Sequence, residues 1–410
     1  MIRNHSRHGS RFPITLGGGG YNVNKSLRFR SSASAYLNRT LGTPTSSTIY
    51  TWSAWVKRGT LSATGQLFGA STTTNFGFNS SDQLLLTLSG TAAVTTTAVY
   101  RDPAAWYHLV YVQNGSAQTI YVNGASAGTG TTANTVFNTA IAHQLAAANT
   151  TGYFDGEMAE INFVDGQALA PTSFGASSIY NQWLPIKYAG TYGTNGFYLP
   201  FTNTASTSTL VADSSGNANN WTPNNISLTA GSTYDSLTDV PTLTSETVAN
   251  YAVLNPLGNV VGTQVPLSNG NLTSSGEGWA NSTISLLAPG KFYFEYKLSA
   301  IAGTPYLGLG SIFADVTAYV NDGRIFVNGS VVTTVATYTT GDVIACAYDT
   351  AGTVTFYKNN TSVYSGSYAY RANLLFLVYI NYSTASVNFG QQPFTYTAPT
   401  GFLPLNTFNI

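Results

Sequence analysis

Residues 102–124, DPAAWYHLVYVQNGSAQTIYVNG, contain the pattern that decides the fold of this chain. One set of side chains recurs at every second position: Trp106, His108, Val110 and Val112. A period of two is that of a β-strand, and the turn 113–116 leads into a return strand at 119–122. Asn-Gly is a strong hairpin signal, and a second pair, Asn123-Gly124, closes the next turn. The stretch therefore predicts consecutive β-hairpins.

The same alternation extends along the chain. In TIYTWSAWVKRG, residues 48–59, one face carries Tyr50, Trp52, Ala54 and Val56. No window of a dozen residues has a convincing helical period, and HQLAAAN at 143–149 is too short for a helix. Strands that recur every 8 to 12 residues point to sandwiches or barrels. We therefore predict an all-β protein.

Two stretches resemble the laminin G-like branch of the concanavalin A-like lectin/glucanase superfamily. The first is 102–124, and the second is GYFDGEMAEINFVDGQALAP, residues 152–171. In that family a Trp-initiated strand, a hairpin ending Tyr-x-Asn-Gly and a later Phe-Asp-Gly strand are the usual landmarks. The resemblance covers residues 25–178 and implies a two-sheet jelly roll.

Residues 179–250 have a different composition. They contain runs of Gly, Asn, Ser and Thr separated by prolines, which is typical of a linker or of an irregular packed connector. Aromatic residues such as Phe197, Tyr198 and Trp221 favour the packed connector. Asp213 in DSSGN could bind calcium on a tight loop, although a turn that caps itself is the expectation. No other cofactor is predicted.

The last block, 251–410, resembles a SPRY-type domain, which is another concanavalin A-like jelly-roll sandwich. The resemblance rests on GDVIACAYDTAGTVTFYKNN at 341–360 and on ASVNFG at 385–390. A laminin G-like half, a GTNGFYL…DSSGNANNW connector and a SPRY-like half, in that order, resemble a class of proteins encoded by tailed phages. This resemblance implies a component of the virion surface.

Charge is scarce and unevenly distributed. Charged residues make up 8% of the chain, against roughly 25% in ordinary soluble domains. The neutral polar surface suits a protein of an assembly or one that meets glycans, and equally a plain β-rich domain with many hydroxyl groups. Residues 1–81 carry nine basic residues and no acid before Asp82.

We predict that residues 1–24 form a basic N-terminal arm, extended rather than helical. The cations expected to dock it on an acidic surface are Arg3, Arg7, Arg11, Lys25 and Arg28. That surface would belong to another virion protein or to a neighbouring copy, whereas the alternative is a solvated tail. Nucleic acid is not expected, because the arm lacks interleaved aromatic residues and the rest of the chain is acidic.

Three carboxylates form the candidate acidic site: Asp155, Glu157 and Glu160. Glucanases of the superfamily carry Glu-x-Asp-x-x-Glu on one bulged strand, and here the spacing matches while the first two identities are exchanged. Met158, Ile161 and Phe163 share the core face only if a bulge absorbs one residue near Ala159. The expectation is a solvent-facing or subunit-facing pair of glutamates, with glycan or calcium contact as the alternative and catalysis as a remote third.

Other chemistry has weak support in the sequence. The four histidines have no metal-like spacing with Cys346, and His108 alternates with apolar residues as a core histidine would. Cys346 is expected to be a buried apolar residue. The N-terminus lacks the apolar run of a signal peptide, and LLFLVYI at 374–380 is far short of the ~18 residues of a transmembrane helix.

The sequence thus predicts a non-enzymatic structural protein of a phage virion, made in the host cytoplasm. It would act as a tail fibre or capsid decoration that is docked by its arm. Its sandwiches would face outward, with host surface glycans as a further partner, and the protein would form homo-oligomers. A stand-alone glycan-binding lectin is the alternative, and a glycoside hydrolase is the third hypothesis.

Overall fold

The computed structural model describes residues 21–133, 136–258, 263–286, 289–310, 316–368 and 374–410, with the side chain of residue 377 left out. Within these residues the chain is nearly all-β. Helical structure there is confined to α1 (Thr207–Leu210) and two 3-10 turns, Ser31–Ala33 and Pro171–Ser173. The prediction of an all-β protein built from two sandwiches is confirmed. No helix in the described part of the chain is long and apolar enough to cross a membrane.

Seventeen strands are described before the second sandwich, most of them short. In chain order they begin with β1 (Ser26–Phe29), β2 (Tyr36–Thr40), β3 (Ile49–Arg58), β4 (Gly65–Ser71), β5 (Thr74–Phe78), β6 (Leu84–Leu88), β7 (Thr91–Thr95), β8 (Trp106–Asn114) and β9 (Ala117–Val122). They continue with β10 (Ala125–Gly130), β11 (Ala142–Leu145), β12 (Gly156–Asp165), β13 (Gly175–Ser177), β14 (Trp183–Pro185), β15 (Phe197–Leu199), β16 (Thr222–Asn224) and β17 (Ser236–Leu237). Fifteen of them form the first sandwich, and β13 and β14 pair only with each other.

Two antiparallel sheets form this sandwich. One has the order β10-β9-β8-β3-β12-β1-β17, with β15 also paired to β12, and the other has the order β16-β2-β11-β4-β5-β6-β7. The alternation predicted for β3 is confirmed, because Tyr50, Trp52, Ala54 and Val56 all lie in the core between the sheets. Trp55 points to the opposite face and packs there with Trp106.

The hairpins fall where the sequence places them, with one shift of position. Val122 pairs with Ala125 around Asn123 and Gly124, which both have positive φ as a type I′ turn requires. In the preceding hairpin Asn114 pairs with Ala117. Its central residues are therefore Gly115 and Ser116 rather than Asn114 and Gly115, and only Gly115 has positive φ.

The predicted connector, 179–250, is packed, and much of it belongs to the first sandwich. Strand β15 pairs with β12, β16 pairs with β2, and β17 pairs with β1. Phe197, Leu199 and Trp221 enter the first hydrophobic core. The boundary predicted at residue 178 therefore divides one structural unit, since strands from the connector complete both sheets.

The connector also covers the outer face of the first sheet. Antiparallel sheets commonly leave one face in solvent, but here every residue of β12 is buried. On the outer face Trp55 and Trp106 pack with Val240, while Tyr188 and Tyr192 pack against the cluster that contains Val110 and Val164. This cover determines the environment of every polar side chain that β12 directs away from the core.

The second sandwich is built from the remaining strands. They are β18 (Leu267–Ser268), β19 (Thr273–Ser285), β20 (Lys291–Ala300), β21 (Tyr306–Gly310), β22 (Thr317–Val320), β23 (Arg324–Val327), β24 (Ser330–Thr334), β25 (Val343–Asp349), β26 (Thr353–Lys358), β27 (Thr361–Ser367) and β28 (Leu375–Asn388). Cys346 is buried in its core, as expected.

Strand β28 joins the two layers of the second sandwich. Its first part pairs with β21 and its last part with β20, while β19 follows it along the other edge. From β21 the sheet continues to β24, and from β20 it continues to β27. Phe376 packs edge-on against Phe294 with ring centroids 4.5 Å apart, which places the aromatic core at this division.

Candidate functional site

The bulge predicted in β12 is present, and it sets the direction of the candidate acids. The pairing of β12 with β3 shifts between Ala159 and Asn162, and Glu160 has φ of +53°. The extra residue lets Met158, Ile161 and Phe163 all enter the core, as expected. Glu157, Glu160 and Asn162 therefore lie on the outer face.

That face is not open to solvent. The exposed fractions are 4% for Asp155, 1% for Glu157 and 6% for Glu160. The prediction of a solvent-facing or subunit-facing pair of glutamates is therefore wrong, because the outer face of this sheet is covered by other parts of the same chain. A glycan or a second subunit has no access to the glutamate carboxylates in this structure.

Glu157 is the centre of a charged row that crosses three strands. It lies directly opposite Lys57 of β3 on one side and Arg28 of β1 on the other. We call these three residues the charged row. Directly opposed residues in antiparallel strands have neighbouring Cβ atoms, so two cations flank one carboxylate. Burial and nearby Asp239 raise the pKa of Glu157, while the two cations oppose that rise.

Two aspartates from the connector pair with the two cations of the charged row. Lys57 Nζ lies 2.6 Å from Asp239 Oδ2, and both side chains are almost fully buried. Asp239 also accepts hydrogen bonds from Trp106 Nε1 and from the backbone N–H of Tyr251. Isolated charges are very costly to bury, so these contacts tie the connector to the face of β12.

Asp235 binds the other end of the row. It accepts a hydrogen bond from Arg28 Nε at 3.1 Å and one from Arg30 Nε at 2.8 Å. Arg28 also donates to the backbone carbonyls of Ser232 and Tyr234. The prediction that Arg28 docks the arm on a partner is therefore corrected, because this guanidinium is buried and its hydrogen bonds lie within the chain.

Asp155 joins the first sandwich to the second. Its Oδ1 accepts a hydrogen bond from the backbone N–H of Gly270 at 2.7 Å, and its Oδ2 accepts one from that of Asn269 at 3.0 Å. Ser31 donates to Oδ2 from both its backbone and its hydroxyl group. Gly59 is required beside this contact, since a Cβ atom there would overlap Asp155 and Gly270. Asp155 is thus an internal contact between the two halves of the chain.

Glu160 holds the base of the predicted arm. Its Oε2 accepts hydrogen bonds from Tyr21 at 2.6 Å and Tyr198 at 2.7 Å. Val23 is buried two residues later, and its backbone exchanges hydrogen bonds with Thr242. Burial raises the pKa of Glu160, although the two tyrosine hydroxyls oppose the rise. Tyr21 and Val23 therefore belong to the body, and the arm joins it beside the bulge.

The remaining docking candidates have different positions. Arg3, Arg7 and Arg11 lie outside the described residues, as do His5 and His8. Lys25 is half-buried immediately before β1. Arg39, another cation of the basic N-terminal region, donates to the backbone carbonyl of Asn220 and the side chain of Asn219. Part of the basic charge of residues 1–81 is therefore used to bind the connector.

No group of three or more His, Cys, Asp or Glu side chains in the described part of the chain is arranged to hold a metal ion. Asp213 forms the self-capped turn that the sequence favours over a calcium loop. Its oxygens accept hydrogen bonds from the backbone N–H groups of Tyr198, Ser215 and Asn219.

His108 is buried, as predicted, but on the outer face of the first sheet beneath the covering segments rather than in the core between the sheets. Its Nδ1 accepts a hydrogen bond from Trp183 Nε1 at 2.9 Å, so Nε2 carries the proton and faces the Ser53 hydroxyl. The ring stacks on Trp55. Burial lowers the pKa of His108 to about 3. Protonation of Nδ1 would place two N–H donors against each other.

This arrangement predicts an acid-sensitive contribution to stability. Because the pKa of His108 is lowered on folding, its contribution is complete above pH 6.5 and is lost as the pH falls toward 3. Between pH 7 and pH 5 the loss amounts to about 2 kcal/mol. Urea unfolding at both pH values should show that the His108→Gln variant loses about 2 kcal/mol less than the unmodified protein. Equal losses in the two proteins would contradict this assignment.

The sequence supplied the carboxylates but not their partners. Asp235 and Asp239 lie about 80 residues beyond Glu157, and Asn269 and Gly270 lie still further along the chain. The one signal in the sequence that these carboxylates have internal partners was the low number of charged residues. In a chain with so few acids, a cluster of carboxylates beside a region of unpaired cations is consistent with internal pairing.

Comparison with known proteins agrees with the fold. Residues 30–172 match a laminin G family model described as the concanavalin A-like lectin/glucanases superfamily. No curated protein matches the chain. The matched segment extends from the end of β1 to the turn that follows β12, so it includes the bulged strand with its three carboxylates.

Three solved structures illustrate the fold-level likeness. One is a Bacteroides ovatus protein, provisionally described as carbohydrate binding, that is 14% identical with a TM-score of 0.36. The alignment covers 50% of this chain and 59% of that protein, so this chain spans about three fifths of the length of that protein. Domains LG4-5 of the mouse laminin alpha1 chain are 12% identical, with a TM-score of 0.30 and coverage of 94% and 87%. The SPRY domain of human HERC1 is 16% identical, with a TM-score of 0.25 and coverage of 30% and 89%.

At these identities and TM-scores the likenesses carry no functional inference. The laminin G match and the sheet topology describe the same segment of the chain. The chain therefore contains a laminin G-like domain of the concanavalin A-like type, followed by a second all-β sandwich.

Proposed function

We propose that this chain is a structural protein of a tailed-phage virion, attached through its basic N-terminal arm and displaying its two sandwiches outward. The observation that carries the proposal is the difference in charge between the predicted arm and the remainder of the chain. Residues 1–24 contain three arginines and no acid, whereas residues 25–410 have sixteen acids against thirteen basic residues. The arm is therefore complementary to acidic surfaces, including that of a neighbouring copy.

The base of the arm supports this role. Tyr21 donates a hydrogen bond to Glu160, and the backbone N–H of Val23 donates one to Thr242, so the chain that follows residues 1–20 is anchored to the body. The order of a laminin G-like half, a packed connector and a SPRY-like half resembles virion proteins of tailed phages. Internal hydrogen bonds occupy Asp155 and Glu160, and Glu157 is buried between two cations of the same chain, which favours an architectural role for these acids over catalysis.

The test is incorporation into particles after the arm charge is removed. In a phage that encodes the chain, replacing Arg3, Arg7 and Arg11 by glutamine should lower the copy number per purified particle at least tenfold, as measured by quantitative mass spectrometry. The matched control replaces the same three residues by lysine, which keeps the charge and should retain incorporation. Normal incorporation of the glutamine variant would refute docking through arm charge.

Glycan binding is a second candidate function. The observation that favours it is the match of residues 30–172 to a superfamily of lectins and glucanases. Charged residues make up only 8% of the chain, so neutral polar groups predominate over charges and are available to hydroxyl groups. An array of bacterial surface polysaccharides probed with the full chain tests this candidate, and an absence of any bound glycan would leave the architectural role alone.

A further inference from the structure

Lys57 holds its ammonium group against a carboxylate and a carboxamide at the same time. Its Nζ donates to Asp239 Oδ2 at 2.6 Å and to Asn250 Oδ1 at 2.8 Å, and its third acceptor is the backbone carbonyl of Tyr251 at 2.8 Å. The carbonyl carbon of a carboxamide is an electrophile, and a lysine amine is a nucleophile once it has lost a proton. The three side chains therefore combine a nucleophile, a proton acceptor and an electrophile.

The carboxamide of Asn250 is held with its carbonyl group toward Lys57. Its Nδ2 donates to the backbone carbonyl of Ala104 at 2.8 Å, which distinguishes the nitrogen of this amide from its oxygen. The carboxylate of Asp239 is fixed as well, because its Oδ1 accepts from Trp106 Nε1 at 3.1 Å and leaves Oδ2 facing the ammonium group. Groups that are held together in one orientation react far faster than the same groups free in solution.

Burial of these groups favours proton transfer between them. The exposed fractions are 2% for Lys57 and 0% for Asp239, whereas Asn250 is half-buried. Burial raises the pKa of Asp239, although Lys57 opposes the rise, so this carboxylate is a good proton acceptor. Glu157 lies opposite Lys57 in the sheet, but in the described part of the chain Asp239 is the acid that is hydrogen-bonded to Nζ.

We propose that Lys57 and Asn250 form an isopeptide bond, an amide between the two side chains, with Asp239 as the proton acceptor. Asp239 Oδ2 takes one proton from the ammonium group, and the freed lone pair of Nζ attacks Cγ of Asn250. A second Nζ proton moves to Nδ2, the Cγ–Nδ2 bond breaks, and Nδ2 leaves as ammonia. The products are one secondary amide, one ammonia molecule and a protonated Asp239, so no oxidant, reductant or other reactant is needed.

The reaction leaves no unpaired charge in the buried pair. Before it, Lys57 and Asp239 carry one positive and one negative charge, and after it both groups are neutral. A neutral carboxyl group costs much less to bury than an isolated carboxylate. The ion pair of Lys57 and Asp239 is thus the state of the folded chain before the bond forms, and the half-buried position of Asn250 gives ammonia a short route to solvent.

The bond joins the two sandwiches covalently. Lys57 belongs to β3 of the first sandwich, whereas Asn250 immediately precedes Tyr251, which lies in the hydrophobic core of the second. The two residues are 193 positions apart, so the bond closes most of the first sandwich and the whole connector into one loop. A cross-link over so long a loop strongly restricts the unfolded chain. The inference does not depend on virion attachment or glycan binding, because it concerns a bond within one chain.

Intact-mass spectrometry of the purified full chain tests the bond. After prolonged incubation at neutral pH, the folded protein should be about 17 Da lighter than its sequence requires, which is the mass of one ammonia molecule. Tandem spectra of a tryptic digest should contain a branched peptide that joins Lys57 to Asn250. Lys57→Arg keeps the cation and should have its full mass, and Asp239→Asn should lower the linked fraction by roughly tenfold or more.

The matched control is Lys358→Met, which should leave the loss of ammonia unchanged. Lys358 also lies beside an aspartate and an asparagine, since it pairs with Asp342, which accepts a hydrogen bond from Asn359. That group is more exposed, and Asn359 presents its nitrogen to the aspartate while its carbonyl oxygen accepts from the backbone N–H of Val343. It therefore resembles the buried group in composition but lacks the reactive orientation.

Three results would overturn the proposal. The first is the full sequence mass in the folded, unmodified chain after incubation, a result that does not depend on whether any variant folds. The second is a loss of ammonia that maps to an Asn-Gly pair, where a backbone imide forms, as revealed by cleavage with hydroxylamine. The third is a loss of water between Lys57 and Asp239, which would assign the bond to the carboxylate instead of the carboxamide.

Discussion

Replacing Lys57 by methionine is expected to lower the free energy of unfolding by about 3–5 kcal/mol, which is a large part of the stability of a typical domain. Lys57 donates to Asp239, to the side chain of Asn250 and to the backbone carbonyl of Tyr251. Methionine is similar in length but offers no donor. Asp239 and Glu157 would then remain buried with one cation fewer, and most of the cost comes from this uncompensated charge.

The measurement is urea unfolding at neutral pH, with Lys358→Met as the control. Lys358 pairs with Asp342 at the surface, where an ion pair contributes at most about 1 kcal/mol. The double variant Lys57→Met, Asp239→Asn should recover part of the loss, because asparagine is neutral and still accepts from Trp106 and Tyr251. A cost of Lys57→Met no larger than that of the control would show that the charged row is not held by this pair.

The fold was predictable because it depends on short-range patterns. Alternation in β3 identifies the four side chains that enter the core, and the bulge in β12 follows from the spacing of Met158, Ile161 and Phe163. Both predictions need only the two-residue period of a strand and the requirement that apolar residues share a face. Neither requires knowledge of what packs on the opposite face.

The environment of the acids was not predictable for that same reason. A polar residue opposite a core face is normally exposed, so Glu157 and Glu160 were expected to be exposed. The segments that cover them are distant in sequence: Tyr198 and Asp239 come from the connector, and Tyr21 comes from the base of the arm. Periodicity contains no information about such long-range contacts.

The basic N-terminal region shows the same limit. Composition identified a cationic stretch without an acid, but Arg28 and Arg30 are both bound to Asp235, about two hundred residues away. The charge count depends only on the positions of these arginines in the sequence, and it contains no information about whether their side chains are exposed. Because Arg28 and Arg30 are engaged within the chain, the proposed docking charge is reduced to Arg3, Arg7, Arg11 and Lys25.

Asp155→Asn is expected to cost about 3 kcal/mol, although the two side chains have nearly the same shape. All the hydrogen-bond partners identified for the Asp155 carboxylate are donors: the backbone N–H groups of Gly270 and Asn269, and the backbone and hydroxyl of Ser31. In asparagine one oxygen becomes an NH₂ group. Whichever way the amide is turned, that group faces at least one backbone N–H, and charge-assisted bonds are lost.

The effect should be concentrated where the sandwiches meet. Hydrogen exchange at the amides of Asn269 and Gly270 should accelerate in Asp155→Asn, while amides of β3 remain protected until global unfolding. Asp102→Asn, at an exposed aspartate that accepts from Ala104, is the matched control and should change stability by less than about 0.5 kcal/mol. If Asp155→Asn unfolds like the control, Asp155 does not join the two sandwiches, and a role in external contact is again the better explanation for this carboxylate.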